Sequence, residues 1–305
     1  MSHVHAELLF SQVRIYQHSG RLGHSLLVMP VAGVVGAVVF GTIFGYATAY
    51  NPFHGGVAIA YSAVCGLGLG FAVGYAFVWS RCRSPKFALL AAVVIALLTL
   101  YCGFTVLVYA VQQRGGNLMG RSPIDLFASP SDTWRALAAI NVHGWETRAG
   151  QTTGLAAWTY WGGEALLLLA LTIAIVNEVL MRHVYCDCCE QWCPLTRKGM
   201  VFLQHPRDGA QLIQIERGDL TPLASLSVTS AQTIPSLRLD LWECRRCWDF
   251  VVLGVNEMLK KQVGRDREKL VAKMIGKRLI ITPNLRDWLT DKARPAPVSR
   301  SEPSV

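Results

Sequence analysis

Four long apolar runs constrain the fold of this chain more than any other feature of its sequence. A helix needs about 20 apolar residues to cross a hydrocarbon core of about 30 Å. The runs occupy Ser25–Ala49, Gly56–Ser80, Phe87–Val111 and Tyr160–Met181. With 52% hydrophobic and only 16% charged residues, the composition is also too apolar for an ordinary soluble protein. The sequence therefore predicts a domain of four transmembrane helices, residues 25–181, in a lipid bilayer.

Basic residues beside the predicted spans indicate how the chain crosses the membrane. They flank the cytosolic ends at Arg14, Arg21, Arg81, Arg83, Lys86 and Arg182, whereas the short loop at 51–55 has no Lys or Arg. The positive-inside rule then places both termini in the cytosol. The external loop, residues 112–158, contains four Arg, but long loops weigh less in this rule. We expect a multi-pass protein of the inner, cytoplasmic membrane, with residues 1–24 as a polar cytosolic leader and no cleavable signal peptide.

The external loop contains the pattern of one short helix. Ser129 is a candidate N-cap, Pro130 occupies the first helical position and Asp132 lies in the first turn. Apolar residues follow at helical spacing until Gly144. We predict an amphipathic helix on the outer membrane surface, with Trp158 and Trp161 as interfacial anchors of the fourth span.

Small residues recur every four positions in the first two spans. They are Gly33, Ala37, Gly41 and Gly45 in the first span and Ser62, Gly66, Gly70 and Gly74 in the second. This spacing places small side chains on one helix face and lets two backbones approach closely in lipid. The pattern predicts that the two spans pack together as a tight hairpin. The alternatives are a face for homo-oligomer formation or a pore lining.

After residue 181 the composition changes and predicts a cytosolic α+β domain over residues 182–291. The predicted strands are Leu212–Ile215, Leu237–Leu241, Phe250–Leu253 and Leu279–Thr282. Charged residues favour a helix over Lys260–Lys277, and apolar spacing favours a closing helix over Asn284–Asp291. The last residues, 292–305, are rich in Pro and Ser and are predicted to be disordered.

Two C-x-x-C pairs in this domain predict a metal site. Cys186 and Cys189 follow the last apolar run, and Cys244 and Cys247 follow the strand-like segment 237–241. Four thiolates form the closed tetrahedral shell of a structural zinc ion, which leaves no open position for catalysis. In a reducing cytosol such clusters bind metal more often than they form disulfides. The sequence therefore predicts a zinc-ribbon-like domain. The neighbouring Cys188 and Cys193 are predicted to be free thiols or alternative ligands.

An iron–sulfur centre is the competing interpretation of the first cluster. The spacing from Cys186 through Cys189 to Cys193-Pro194 matches the end of the bacterial C-x2-C-x2-C-x3-C-P run, and Cys188 adds a further thiol. The Cys189–Pro194 segment also resembles multi-pass ferredoxin-type quinol dehydrogenases, which would imply a membrane electron-transfer subunit. The chain lacks a complete four-cysteine run, so zinc is the preferred ion.

Two carboxylates in the fourth span suggest another function. Glu164 and Glu178 are fourteen residues apart, which returns them to within about 40° of the same helix face. Intramembrane carboxylates are typical of proton or cation passage, so a transporter or channel component is an alternative. The simpler interpretation is a pair of interfacial carboxylates near the two ends of the span.

The chain contains no phosphate-binding loop, dinucleotide fingerprint, nucleophile elbow or metalloprotease motif, so no enzyme class is indicated. Its net charge of +9 is ordinary beside an anionic leaflet. The C-terminal region lacks the interleaved aromatic residues of a single-strand binding groove, so no nucleic-acid partner is predicted.

The two C-x-x-C segments, called the first and second knuckle below, resemble those of a known group of proteins. The segments from Tyr185 to Trp192 and from Leu237 to Cys247 resemble bacterial multi-pass membrane proteins of unknown function that end in a cytosolic zinc-ribbon domain. The resemblance implies zinc held by Cys186, Cys189, Cys244 and Cys247 and implies no established activity. We therefore expect a non-enzymatic membrane scaffold or sensor that presents this domain to a cytosolic protein partner.

Overall fold

The computed structural model describes residues 13–50, 56–114, 122–147, 150–262, 268–275 and 278–293. Two compact units divide the chain. One comprises residues 19–183, and the other joins the residues before 19 to those from 184 onward. The first twelve residues of the predicted leader, the loop at 51–55 and the tail from 294 lie outside the described residues.

The unit of residues 19–183 contains the membrane-length helices. They are α1 (Ser25–Tyr50), α2 (Gly56–Trp79), α3 (Pro85–Arg114) and α6 (Gly154–Arg182). Each is long and apolar enough to cross a membrane, as their sequences predict. Large apolar side chains such as Leu27, Val64 and Leu90 are more than half exposed. Exposed apolar side chains on helices of this length indicate surfaces that face lipid.

The small-residue stripes of α1 and α2 pair with helices other than the predicted ones. Gly41 of α1 lies against Thr99 and Cys102 of α3, and Gly70 of α2 lies against Thr172 and Ile175 of α6. In both pairs the contacts advance in the same chain direction, so the paired helices run parallel. Helices α1 and α2 also touch but share fewer close approaches, so the predicted tight hairpin through the two stripes is wrong.

Close contacts between the backbones of α2 and α6 explain the different pairing. The hydroxyl of Thr172 donates to the carbonyl oxygen of Gly66 at 3.2 Å, which only a residue without a side chain allows at this position. The stripe predicts a close approach but does not specify which helix approaches. Both stripes contact other helices of the same chain. Homo-oligomer formation through these faces is not tested by these contacts and stays a prediction.

Two short helices and a hairpin connect α3 to α6. They are α4 (Pro123–Ala128), α5 (Pro130–His143), β2 (Trp145–Thr147) and β3 (Gly150–Thr152). Helix α5 begins at the predicted proline and ends at His143, with Gly144 as its C-cap. Sequence reasoning missed α4, although its capping box is present: Ser122 and Asp125 exchange side-chain and backbone hydrogen bonds. The Tyr101 hydroxyl of α3 donates to the carbonyl oxygen of Phe127 at 2.6 Å, which attaches this segment to α3.

The other unit is built on an antiparallel sheet. Its strands are β1 (Arg14–Ile15), β4 (Val184–Cys186), β5 (Gln191–Cys193), β6 (Leu195–Gln204), β7 (Ser236–Glu243), β8 (Val251–Gln262), β9 (Glu268–Met274) and β10 (Leu279–Ile281). The main sheet has the order β1-β10-β8-β7-β6, and β9 pairs with the distal half of β8. Strands β4 and β5 form a separate hairpin.

Alternation along β7 and β8 gives the sheet two different faces. Leu239 and Leu253 point into an apolar core with α7 (Gly209–Arg217), α8 (Pro222–Ser225) and α9 (Pro283–Ala293). Trp242 and Val252 point to the opposite face, where the cysteine knuckles lie. Period-two alternation in the sequence is the cause, because successive strand residues point to opposite sides.

Two predicted elements of this unit are wrong. Residues 212–215, predicted as a strand, lie inside α7, which is capped by the Asp208 side chain and ends at the left-handed Gly218. Residues 260–277, predicted as a helix, are a strand hairpin in their described part, because β8 continues to Gln262 and β9 pairs with it. Cross-strand pairing overrides the helical preference of Lys and Glu here. The predicted strands at 237–241 and 279–282 and the closing helix are present within one or two residues. The strand predicted at 250–253 is also present, but it continues to Gln262.

Candidate metal centre

The first cysteine knuckle is the turn of the β4–β5 hairpin. Cys186 ends β4 and pairs with Gln191 at the start of β5. Between them, Glu190 has a φ of 52°, in the left-handed region that non-glycine residues rarely adopt. This conformation turns the chain tightly after Cys189. The knuckle therefore holds its two thiols on one side of a rigid turn.

The second knuckle connects β7 to β8 and repeats the same design. The Cys244 N–H donates to the carbonyl oxygen of Phe250, and the Trp248 N–H donates to the carbonyl oxygen of Cys244, both at 3.0 Å. Trp248, which directly follows the second cysteine as Glu190 does, has a φ of 59°. Two unrelated segments thus adopt the same strained turn around a C-x-x-C pair. Such strain persists where the surroundings require it and clusters at functional sites.

The two knuckles bring four thiols together. The sulfur atoms of Cys186, Cys189, Cys244 and Cys247 all lie within 4.8 Å of one another. A tetrahedral ion with metal–sulfur bonds of about 2.3 Å separates its sulfurs by about 3.8 Å. The Sγ atoms of Cys186 and Cys247 are 3.9 Å apart, whereas a disulfide requires about 2.05 Å. The spacing fits four ligands around a single ion.

Hydrogen bonds favour the thiolate form of one of these four residues, Cys244. Desolvation acts to raise the pKa of Cys244, but N–H donors of Cys247 and Arg246 and the Gln191 side chain outweigh it and lower the pKa to about 6. The Gln191 amide nitrogen is 3.1 Å from the Cys244 sulfur and reaches it from the first knuckle. Desolvation and the neighbouring thiols raise the pKa of Cys186 to about 11. Four thiols this close repel one another as thiolates, and a bound cation removes that repulsion.

Cys188 and Cys193 occupy different positions from the four clustered thiols. Cys188 is exposed at the tip of the first knuckle. Cys193 is buried on β5 beside the site, in an apolar cluster with Val184 and Trp242, and desolvation raises its pKa. Among the described residues neither joins the group of sulfurs within 4.8 Å.

Sequence reasoning missed the contribution of the N-terminal segment. Strand β1 pairs with β10, and the next residue, Tyr16, accepts a hydrogen bond from the Tyr185 N–H at 2.9 Å. The Tyr16 ring packs edge-on against Phe250 with ring centroids 6.3 Å apart. Burial raises the pKa of Tyr16 to about 12, so its hydroxyl stays protonated. The Tyr16 side chain therefore contacts residues next to both knuckles. Local sequence patterns do not predict these contacts, because Tyr16 is far from Tyr185 and Phe250 in sequence.

Replacing Tyr16 by Phe is expected to loosen the first knuckle. The change removes the hydroxyl that accepts the hydrogen bond of the buried Tyr185 N–H, and the loss of such a bond costs about 1–3 kcal/mol. Hydrogen–deuterium exchange on the full-length protein is expected to show faster exchange in the 184–193 peptide. The exposed neighbour Ile15, replaced by Ala, is the control and should leave that peptide unchanged. Equal exchange in wild type and Tyr16→Phe would rule out this stabilising contact.

The two carboxylates of α6 have separate environments. Glu178 is about half exposed and pairs with Arg182 at 2.7 Å, one turn away on the same helix. Glu164 is buried, and its Oε2 has no hydrogen-bond partner among the described residues. Fourteen residues of helix separate them by about 21 Å. They are too far apart to hold one ion together, and a path that uses both stays a prediction.

Comparisons of this chain with protein-family models, with curated proteins and with solved structures found no match.

Proposed function

We propose that this chain is a membrane scaffold or sensor whose sheet domain is ordered by one zinc ion and presented to a protein partner. The observation that carries the proposal is the convergence of four thiols from two separate knuckles within 4.8 Å. A closed four-sulfur shell has no position for water or substrate, so the ion stabilises structure and does no catalysis. A domain ordered in this way offers its surface for binding.

Zinc is favoured over an iron–sulfur cluster by the compactness of the site. A cluster places several iron and sulfide atoms between its cysteines and needs wider spacing than a single ion. The next thiol of the iron–sulfur pattern, Cys193, stands outside the group of four. Tetrahedral four-sulfur sites take zinc or an iron–sulfur cluster, and the compact spacing favours zinc.

The strand pairing supports placing both ends of the chain on one side. Strand β1 precedes the first membrane-length helix, and β10 follows the last one. Four crossings return a chain to the side where it began, as this pairing requires. Basic residues next to the helix ends, among them Arg81, Lys86 and Arg182, support the cytosol as that side and the inner, cytoplasmic membrane as the location.

The tip of the second knuckle is the proposed partner-binding surface. Arg245, Arg246 and Trp248 are exposed there, and the Trp248 side chain is 56% exposed. Trp and Arg dominate the binding energy of protein interfaces. The Arg286 guanidinium of α9 donates to the Trp248 carbonyl oxygen at 3.4 Å and connects the backbone of this tip to α9. This surface depends on the metal site but does not supply its ligands.

Trp248→Ala is expected to reduce partner capture by the full-length protein without loss of metal. Truncating a hot-spot tryptophan costs about 2–4 kcal/mol of binding, which corresponds to a more than tenfold loss. The measurement is quantitative affinity purification from membranes with crosslinking. Ile213→Ala is the control, because Ile213 is 50% exposed on α7 of the same unit. A partner set unchanged by Trp248→Ala contradicts the assigned surface, and recovery of no specific partner contradicts the scaffold function.

A further inference from the structure

An apolar cavity lies within the unit of residues 19–183. Its volume is about 520 Å³, and it is bounded by α3, α5 and α6. The walls include Leu97 and Tyr101 of α3, Trp134 of α5, and Trp158 and Gly162 of α6. This volume falls within the range of about 300–1,000 Å³ typical of small-ligand pockets.

The aromatic walls of the cavity are held in fixed orientations. Trp134 stacks on Trp158 with ring centroids 5.2 Å apart, and Trp158 meets Trp161 edge-on at 5.3 Å. The polar atoms of two lining residues are engaged elsewhere. The Tyr101 hydroxyl donates to the Phe127 carbonyl oxygen, and the Thr133 hydroxyl donates to the Leu126 carbonyl oxygen. The surface offered to an occupant is therefore largely apolar.

The position of the cavity along the helices indicates whether its opening faces water or lipid. Trp158 lies about 6 Å from the start of α6, while Leu97 lies about 18 Å from the start of α3. The cavity thus extends from an interfacial tryptophan cluster toward the middle of a membrane-length helix. Leu97 is 52% and Trp134 60% exposed at its edge. The cavity is open at this edge, and the medium beside a membrane-length helix in a bilayer is hydrocarbon.

We propose that this cavity binds one acyl chain of a membrane phospholipid. The largely apolar walls disfavour a charged or strongly polar ligand, because they replace few of its hydrogen bonds to water. The tryptophan cluster would lie near the headgroup, where the amphipathic indole ring is favoured. The lipid would link α5 to the two membrane helices that it faces.

Photolabelling of the full-length protein in phosphatidylcholine vesicles tests the proposal. The probe is phosphatidylcholine with a diazirine at the middle of one acyl chain. Wild-type protein is expected to carry the label on the peptides that contain Tyr101 and Trp134. Gly162→Phe fills the cavity from its wall, because a Cβ at Gly162 meets no atom within 4 Å. We expect this variant to lose about tenfold in labelling at those peptides.

Gly163→Phe is the matched control, because Gly163 also has open space around its Cβ but does not line the cavity. It should label as the wild type does. Gly162→Leu provides a smaller filling if the Phe variant fails to fold. Equal labelling of the filled and control variants overturns the proposal, as does cavity labelling no greater than that of the lipid-exposed Leu90. Crosslinks between two copies at Trp134, formed by a separate protein crosslinker in the absence of lipid labelling, overturn it by identifying a second copy as the occupant.

Discussion

Replacing Cys244 by serine is expected to abolish metal binding and unfold the knuckle region. Cys244 is fully buried and receives hydrogen bonds from both knuckles, so its loss affects the whole group of sulfurs. A serine hydroxyl is a hard ligand that does not ionise at neutral pH, and structural zinc contributes about 10–16 kcal/mol of folding energy in small domains. The measurement is metal content of the purified full-length protein, with hydrogen exchange over residues 184–193 and 243–251 as the folding readout.

Two other cysteines supply matched controls for this change. Cys188→Ser alters an exposed side chain and should leave metal content and exchange unchanged. Cys193→Ser places a hydroxyl in the buried cluster beside the site and costs about 1–3 kcal/mol, but it should retain the ion. Loss of metal in Cys193→Ser, with retention in Cys244→Ser, would assign a different ligand set.

Substituting Gly41 by alanine is expected to lower the thermal stability of the membrane unit. The new Cβ would lie 2.7 Å from both the Cys102 Cβ and the Thr99 carbonyl oxygen of α3. One of these contacts is backbone, so relief requires the parallel helices α1 and α3 to separate. Overpacking of this kind costs about 1–3 kcal/mol. Thermal unfolding in a mild detergent should show a midpoint several degrees lower than that of the wild type.

Gly162→Ala should raise the unfolding midpoint, so this variant serves as the control. Its Cβ meets nothing within 4 Å, and replacing helical Gly by Ala stabilises by about 0.5–1 kcal/mol. Equal unfolding midpoints for the two alanine variants would show that the α1–α3 approach does not depend on Gly41.

The elements that could be predicted are those with a local physical cause. The length of an apolar run determines a membrane-length helix, and strict alternation over 237–241 determines a strand with two different faces. The C-x-x-C spacing at 186–189 and 244–247 predicted which four cysteines come together, because each knuckle is a local turn. The binding of a metal ion by these four cysteines stays a proposal.

The elements that could not be predicted depend on distant parts of the chain. Residues 260–262 and 268–274 become strands only because they pair with each other and continue the sheet. The pairing of β1 with β10 joins segments separated by the whole membrane unit. Helix α7 was predictable in principle from Asp208 and Gly218 at its two ends, but the apolar run at 212–215 is too short to distinguish a helix from a strand.

The measurement that tests the central claim most directly is the metal content and visible spectrum of wild-type full-length protein purified without added metal or chelator. We predict a single zinc ion per chain and a colourless protein, since a closed four-thiolate zinc site has no visible transitions. A brown protein that contains iron and sulfide, or a folded protein without metal, would contradict the account.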